Sequence, residues 1–395
     1  MNKAILNTDI QEFINKNLNS NIASLLLKGT SFSSVETKDI IEQIEAKKRC
    51  ENKLPTWFHC KAIYYPNKLN IEQTSSEITA KYKASLIQGE SLIDLTGGFG
   101  VDCFQFSKVF KTVAHCEINE ALSEIVNHNY KQLNIQNITT LNVDGVAYLK
   151  TNNKIYDWIY IDPSRRHDSK GKVFFLNDCL PNVPEHIDLL FKHSKNILIK
   201  TSPLLDFSVG INELKHVKAI HVVAVNNEVK ELLWVLEHGF EADILIETVN
   251  IKKDTSDYFK FLLENEKVAE SKYSKPLAYL YEPNSAILKS GGFHSITNKL
   301  EVYKLHKHSH LYTSSSLIDF PGRRFKIETL LPYNKKTIKN LGINKANITT
   351  RNFSETVEQL RKKLNIKDGG NDYLFFTTGL DDNKIVIIVS KVDTT

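Results

Sequence analysis

Between residues 84 and 240 the chain repeats one rhythm: a short apolar run, then a stretch long enough for a crossover helix, then another run. The runs are SLIDL, TVAHC, ITTLNV, DWIYID, NILIKT and AIHVVAV. Apolar runs of strand length separated by helical segments predict a parallel, doubly wound α/β sheet. Upstream, residues 1 to about 80 set Ile10, Phe13, Ile14, Leu18, Ile22, Leu25 and Leu26 at helical spacing with little strand alternation. This predicts a helical N-terminal unit. Downstream come a further strand, DILIETVNI, a polar linker over about 252–275, and the mixed segment PLAYLYEPNSAILKSGGFHSI. From PGRRFKIETLL onward the pattern reads strand, helix (334–341), strand (ANITTRNF), helix (356–364), then the strands DYLFFTTG and KIVIIVSK. Small alternating elements of this kind make a compact α+β module.

With 395 residues, 41% of them apolar and 25% charged, the composition is that of an ordinary globular protein of two or three domains. No run approaches the roughly 18 apolar residues of a membrane helix, and MNKAILNTDIQEF has none of the features of a cleaved leader. A soluble cytoplasmic protein without a membrane partner is expected. Five cysteines (Cys50, Cys60, Cys103, Cys116, Cys179) without a CxxC pair indicate neither a disulfide framework nor a metal site, so buried free thiols are expected. Charge is unevenly placed: residues 276–395 hold 18 Lys and Arg against 11 Asp and Glu, a net +7, whereas residues 1–275 carry a net −2. A near-neutral body joined to a basic module suits a polyanionic partner.

The most informative stretch is Ser91-Leu-Ile-Asp-Leu-Thr-Gly-Gly-Phe-Gly-Val-Asp102, an apolar strand ending in Asp94 and running into Thr96, Gly97, Gly98 and Gly100 ahead of a helical segment that opens with Asp102. Glycine lets a backbone turn tightly and approach a ligand with no Cβ in the way. Dinucleotide sites, phosphate sites and plain turns all use such loops, and spacing separates them. A dinucleotide site has G-x-G-x-x-G, whereas this loop reads D-x-T-x-G-x-G. It resembles the first motif of class I S-adenosylmethionine-dependent methyltransferases, with Thr96 in place of the first glycine. That resemblance implies that Asp94 lies near the methionine end of the cofactor and that Thr96, Gly97, Gly98, Gly100 and Asp102 belong to the same cofactor site. The next strand ends at Glu117, 17 residues after Gly100, where a carboxylate accepts hydrogen bonds from ribose hydroxyls in both SAM and NAD sites. The third is followed by Asp144, which the methyltransferase pattern implies at the adenine amino group.

Strand four ends in Asp162-Pro163-Ser164-Arg165-Arg166. This is similar to the D/N-P-P-aromatic motif of methyltransferases acting on exocyclic base nitrogens and to a DPPR variant of RNA methyltransferases. In such sites the acid and the following carbonyl hold the target amine. Ser164 replaces the second proline and Arg165 the stacking aromatic. A guanidinium can also stack on a base, with Arg166, His167, Lys170 and Lys172 adding phosphate contacts. Methylation at C5 of a pyrimidine needs a cysteine nucleophile, but the fifth strand reads IKTSP and Cys179 falls in a helix-like segment, so N-methylation is favoured.

DLTGGFGVD, CEIN, DPSRR and IKTSPLLD, followed by a basic module starting at PGRRFK, together resemble bacterial class I SAM-dependent methyltransferases with a C-terminal THUMP-like domain. The resemblance implies four domains: helical (1–80), methyltransferase (81–245), linker plus ferredoxin-like (246–320) and THUMP-like (321–395). It also implies S-adenosylmethionine as cofactor and structured RNA, rRNA or tRNA, as partner. The clustered cations of the tail are Arg323, Arg324, Lys326, Lys335, Lys336 and Lys339, with Phe325 and Tyr333 interleaved. A methyltransferase of small molecules or protein, and a catalytically silent RNA-binding protein, remain alternatives.

Overall fold

The computed structural model describes residues 1–165, with Arg165 by its backbone alone, and residues 175–392. They form two compact units: 1–218 with 232–241, and 219–231 with 242–395.

The first unit is built on strands β1 (Gly89–Asp94), β2 (Phe110–Cys116), β3 (Ile138–Leu141), β4 (Trp158–Ile161) and β5 (Asn196–Thr201), which pair in parallel in the order β3-β2-β1-β4-β5. The second half of β7 (Glu228–Glu237) pairs antiparallel with β5, Thr201 opposite Leu232. The apolar runs became central strands because both faces are covered: Leu92, Ile93, Ile159, Ile161, Ile197, Leu198 and Ile199 have no exposed surface. Strand order reverses between β1 and β4, and a parallel sheet opens a crevice at the carboxyl ends of its strands at such a point.

The expected N-terminal helices are present. Ile5, Ile10, Ile14, Val35, Ile40 and Ile44 form a small core of their own, while Trp57 packs edge-on against Phe104 with ring centroids 4.6 Å apart. Helical packing thus supports the segment that follows the glycine loop.

The second unit contains β6 (Val217–Val225) from Ala219 on, β8 (Leu245–Ile251) and β9 (Ser256–Leu262), with β8 parallel to β6 and antiparallel to β9. The expected linker over 252–275 is therefore largely a hairpin strand and a short helix, Leu263–Val268. Its polar residues conceal an alternation in which Phe259 and Phe261 turn inward. A second sheet is formed by β10 (Tyr279–Pro283), β11 (Tyr303–Lys304), β12 (Tyr312–Ser314), β13 (Gly322–Pro332), β14 (Lys345–Arg351), β15 (Lys367–Thr378) and β16 (Lys384–Lys391). Its order is β11-β12-β10-β13-β16-β15-β14, all antiparallel save β14 with β15. Alternation along β15 and β16 sends Leu374, Phe376 and Val386 into one core and Phe375, Ile387 and Val389 into another. The expected tail helices appear as Lys335–Lys339 and Val357–Leu364, the latter opened by a Thr356/Gln359 capping box. No helix among the described residues is long and apolar enough to cross a membrane.

Candidate functional site

The glycine turn leaves β1 with Gly98 and Gly100 at φ +54° and +79°, conformations that L side chains rarely adopt. At Gly100 space is also decisive, because an added Cβ would lie 2.2 Å from the Tyr130 hydroxyl oxygen, and that hydroxyl donates to the Gly100 carbonyl at 2.9 Å. Gly97 N–H donates to the Cys116 carbonyl at 2.8 Å, which ties the turn to the end of β2.

Four carboxylates surround this turn, in different environments. Asp94 is buried, 1% exposed, and accepts from Thr96 N at 2.9 Å, Thr96 Oγ1 at 3.2 Å and Cys103 Sγ at 3.2 Å. Burial pushes its acid up to about 7 against the pull of the Thr96 and Cys103 hydrogen bonds. Glu117 is half-buried: Oε2 accepts from Gly98 N at 2.9 Å and Oε1 from Asn119 N at 2.7 Å. Each of its oxygens keeps a lone pair for a ligand hydroxyl. Asp144 is exposed and caps the helix Gly145–Thr151 by accepting from Ala147 N at 2.8 Å.

The fourth, Asp102, is buried among side chains of other elements. Its Oδ2 accepts from Ser75 Oγ at 2.8 Å and Tyr160 OH at 2.9 Å, while Oδ1 lies 3.2 Å from the fully buried Lys83 ammonium. Although burial opposes ionisation, the Lys83 and Lys200 charges and these hydrogen bonds hold its carboxyl below the usual range. Asp102 thus ties the helix after the glycine turn to Ser75, Tyr160 and Lys83.

At β4 the Asp162 N–H donates to Thr96 Oγ1 at 2.7 Å, so the β1 and β4 turns are joined through one threonine. Pro163 is buried and Ser164 exposed. Ser164 and Arg165 form a short antiparallel pair with Leu180 and Cys179. Cys179, expected in a helix, is thus extended beside the Asp-Pro-Ser turn, and it is buried. The pairing with 164–165 holds it straight, and Pro181 comes directly after this two-residue strand. The Cys179 thiol has no exposed surface. The Arg165 side chain and Arg166, His167, Lys170 and Lys172 lie outside the described residues.

Sequence reasoning missed Lys200. Its Nζ lies 2.5 Å from Asp162 Oδ2, with only 14% of the lysine side chain exposed. A lysine inside the apolar run NILIK was the available signal, because a charge on a central strand needs a partner. Lys83, Ser75 and Tyr160 escaped for lack of any local pattern.

The tail cations separate into two groups. Arg323 pairs with Glu282, Arg324 Nη1 lies 3.3 Å from Asp319, and Lys326 Nζ lies 3.8 Å from Glu328. Lys335, Lys336 and Lys339 are exposed on one short helix. The interleaved aromatics belong to packing: Phe325 is fully buried, and Tyr333 OH donates to Glu355 Oε1 at 2.8 Å.

Models of two protein families match the C-terminal part, a ferredoxin-like domain at 279–321 and a THUMP domain-like family at 322–391. No curated protein matches the chain. A crystal structure of a candidate methyltransferase from Porphyromonas gingivalis W83 shares 31% identity over 99% of both chains, with a TM-score of 0.88. A Streptococcus mutans candidate methyltransferase in complex with SAH (15% identity, 41% of this chain and 96% of that one, TM-score 0.30) and a Streptococcus thermophilus rRNA methylase (15%, 40% and 93%, TM-score 0.30) are far more distant. The near-complete match to the Porphyromonas gingivalis structure, with both domain families in place, shows that this chain belongs to the family of that protein, the class I methyltransferases with ferredoxin-like and THUMP-like C-terminal domains.

Proposed function

We propose that the protein transfers a methyl group from S-adenosylmethionine to a nitrogen of a base in structured RNA. The observation that carries this is the joining of two strand-end turns at the reversal of strand order. There the Asp94 and Glu117 carboxylates flank the glycine turn, and Asp162 is fixed to it through Thr96. The residues fit the cofactor: a backbone turn free of side chains, a half-buried Glu117 with unused lone pairs for a ribose, and an exposed Asp144 for an adenine amine.

Bound S-adenosylmethionine supplies a methyl group already activated on a sulfonium, which leaves positioning of the acceptor to the protein. The Asp162 carboxylate accepts an N–H of the target amine, and the carbonyl of Pro163 accepts the other, so the nitrogen lone pair is aimed across the crevice. Lys200 holds that carboxylate in place, where it takes the proton the amine loses. The four-domain division at 80, 245 and 320 belongs to the same proposal, with the THUMP-like domain presenting RNA. In support stand the family membership and the exposed Lys335, Lys336 and Lys339.

Mass spectrometry of rRNA and tRNA nucleosides from a deletion strain tests the reaction, and a missing N-methylated nucleoside is expected. An unchanged nucleoside profile together with RNase-resistant methyl transfer would move the substrate to a small molecule or protein. Calorimetry tests the cofactor. Glu117→Ala should weaken binding by about 1–3 kcal/mol, since ligand hydroxyls and Gly98 N–H lose their acceptor.

A further inference from the structure

Among the described residues, eight buried side-chain polar atoms make no hydrogen bond, and five of them belong to the second unit: Glu282 Oε1, which is ion-paired with Arg351 instead, Asn284 Nδ2, Ser285 Oγ, His310 Nδ1 and Arg351 Nε. Buried polar groups are nearly always satisfied, so a concentration of exceptions asks what satisfies them. Three of these atoms sit within four consecutive residues at the end of β10, and Arg351 reaches the same carboxylate from β14.

Charge supplies a second argument. Glu282, 4% exposed, stands opposite Arg323 in the β10–β13 ladder and accepts from its Nε at 2.5 Å. Glu282 Oε1 meets the Arg351 guanidinium at 2.8 Å. Two guanidiniums on one carboxylate leave a surplus positive charge. Arg323 is held in place, its guanidinium 5.4 Å and 5.6 Å from the centres of Phe325 and Phe375, with Nη2 donating to Thr349 Oγ1 at 3.2 Å. Both side chains still reach solvent, 41% and 37% exposed. Asn284 is oriented as well: Oδ1 caps the following helix by accepting from Ile287 N at 3.1 Å, which leaves Nδ2 as a free donor. The unused groups of Arg351, Asn284 and Ser285 are thus all able to donate.

We infer that the Glu282–Arg323–Arg351 cluster, with Asn284 and Ser285, is a binding site for a phosphate oxyanion. A phosphate has acceptors in several directions and no obligatory donor, so it can take the Arg351 Nε–H, the Asn284 amide and the Ser285 hydroxyl while offsetting the surplus charge. Water could fill the hydrogen bonds but not the charge. The phosphate is either a free ion or a phosphodiester of a nucleic acid. The site lies apart from the glycine turn and does not depend on the methyl-transfer proposal.

The test is calorimetric titration of the full chain with inorganic phosphate in a low-salt, phosphate-free buffer, for wild type, Arg351→Gln and Asn284→Asp. Asn284→Asp keeps the helix-capping oxygen and replaces only the free donor, so it reports on the site even if Arg351→Gln fails to fold. Saturable binding by wild type is expected, weakened about tenfold or more in Asn284→Asp. No saturable binding by wild type, or equal binding by Asn284→Asp, overturns the inference. With a labelled single-stranded RNA, displacement by phosphate assigns the site to a phosphodiester, and RNA binding indifferent to phosphate assigns it to a free ion.

Discussion

Thr96 Oγ1 accepts the Asp162 backbone N–H at 2.7 Å and faces Asp94 Oδ1 at 3.2 Å, so one hydroxyl couples the acid at the end of β1 to the acid at the end of β4. The family motif has glycine at this position, and Thr96 adds a link that glycine cannot make. Thr96→Val keeps the shape but removes both bonds, leaving the Asp162 N–H without its acceptor. A loss of about 1–3 kcal/mol in stability is expected, with kcat lowered more than the affinity for S-adenosylmethionine. Thermal melts and steady-state kinetics check this, and an affinity loss larger than the kcat loss would place Thr96 in the cofactor site instead.

The ion pair between Lys200 and Asp162 makes these two residues act as a unit. Asp162→Ala and Lys200→Met should each cut turnover strongly while leaving cofactor affinity nearly normal. The double variant should be no worse than the poorer single one, because groups sharing one interaction are not additive. Additive losses in single-turnover assays would mean that Lys200 serves the reaction independently of Asp162.

Much of this arrangement was legible in local sequence. The glycine turn, the acids at three strand ends and the Asp-Pro turn are runs of neighbouring residues whose spacing reflects backbone geometry. Lys200 was not legible as a partner of Asp162, because parallel pairing joins strands that a crossover helix separates in the chain. The same holds for Lys83, whose charge looks like a solvated helix face until Asp102 and Ser75 are brought to it. Arg323 and Arg324 illustrate the converse error. Counted as free cations, both are paired with carboxylates of the same unit, and net charge in a sequence cannot separate paired from free groups. Phe259 and Phe261 were hidden among charged neighbours, where alternation is diluted by a polar outer face.

Asp94 gives the pH dependence a sign. Its folded acid, pushed up to about 7 by burial, lies above the ordinary 3.8 of an unfolded chain. The folded state therefore binds more protons between these values. Its contribution to stability is full below about 3.8 and is lost as pH rises through about 7, at up to roughly 1.4 kcal/mol per pH unit. Asp94→Asn should remove this slope, so stability measured by denaturant titration from pH 5 to pH 8 should fall less in the variant than in wild type. A cationic cofactor favours the carboxylate, so its affinity should rise across pH 7 with proton release. Calorimetry in two buffers of different ionisation enthalpy measures that proton.

Lys335, Lys336 and Lys339 are exposed together on one short helix, with Asn334 capping it. If the THUMP-like domain presents RNA, these three should carry phosphate contacts, and Arg324 and Lys326, beside their own acids, much less. Each contact releases condensed counterions, so RNA affinity should fall steeply with salt, and replacing all three lysines by glutamine should reduce the slope of log K against log salt by about 2–3. Arg324→Gln should change it little. Titration of a structured RNA at several salt concentrations separates the two variants. Removal of residues after about 320 should abolish RNA retention without affecting cofactor affinity, because Asp94, Glu117, Asp144 and Asp162 all lie in the first unit. Equal RNA affinity in the triple variant and wild type would shift the contact to the segment that begins at Arg165 or to the N-terminal helices.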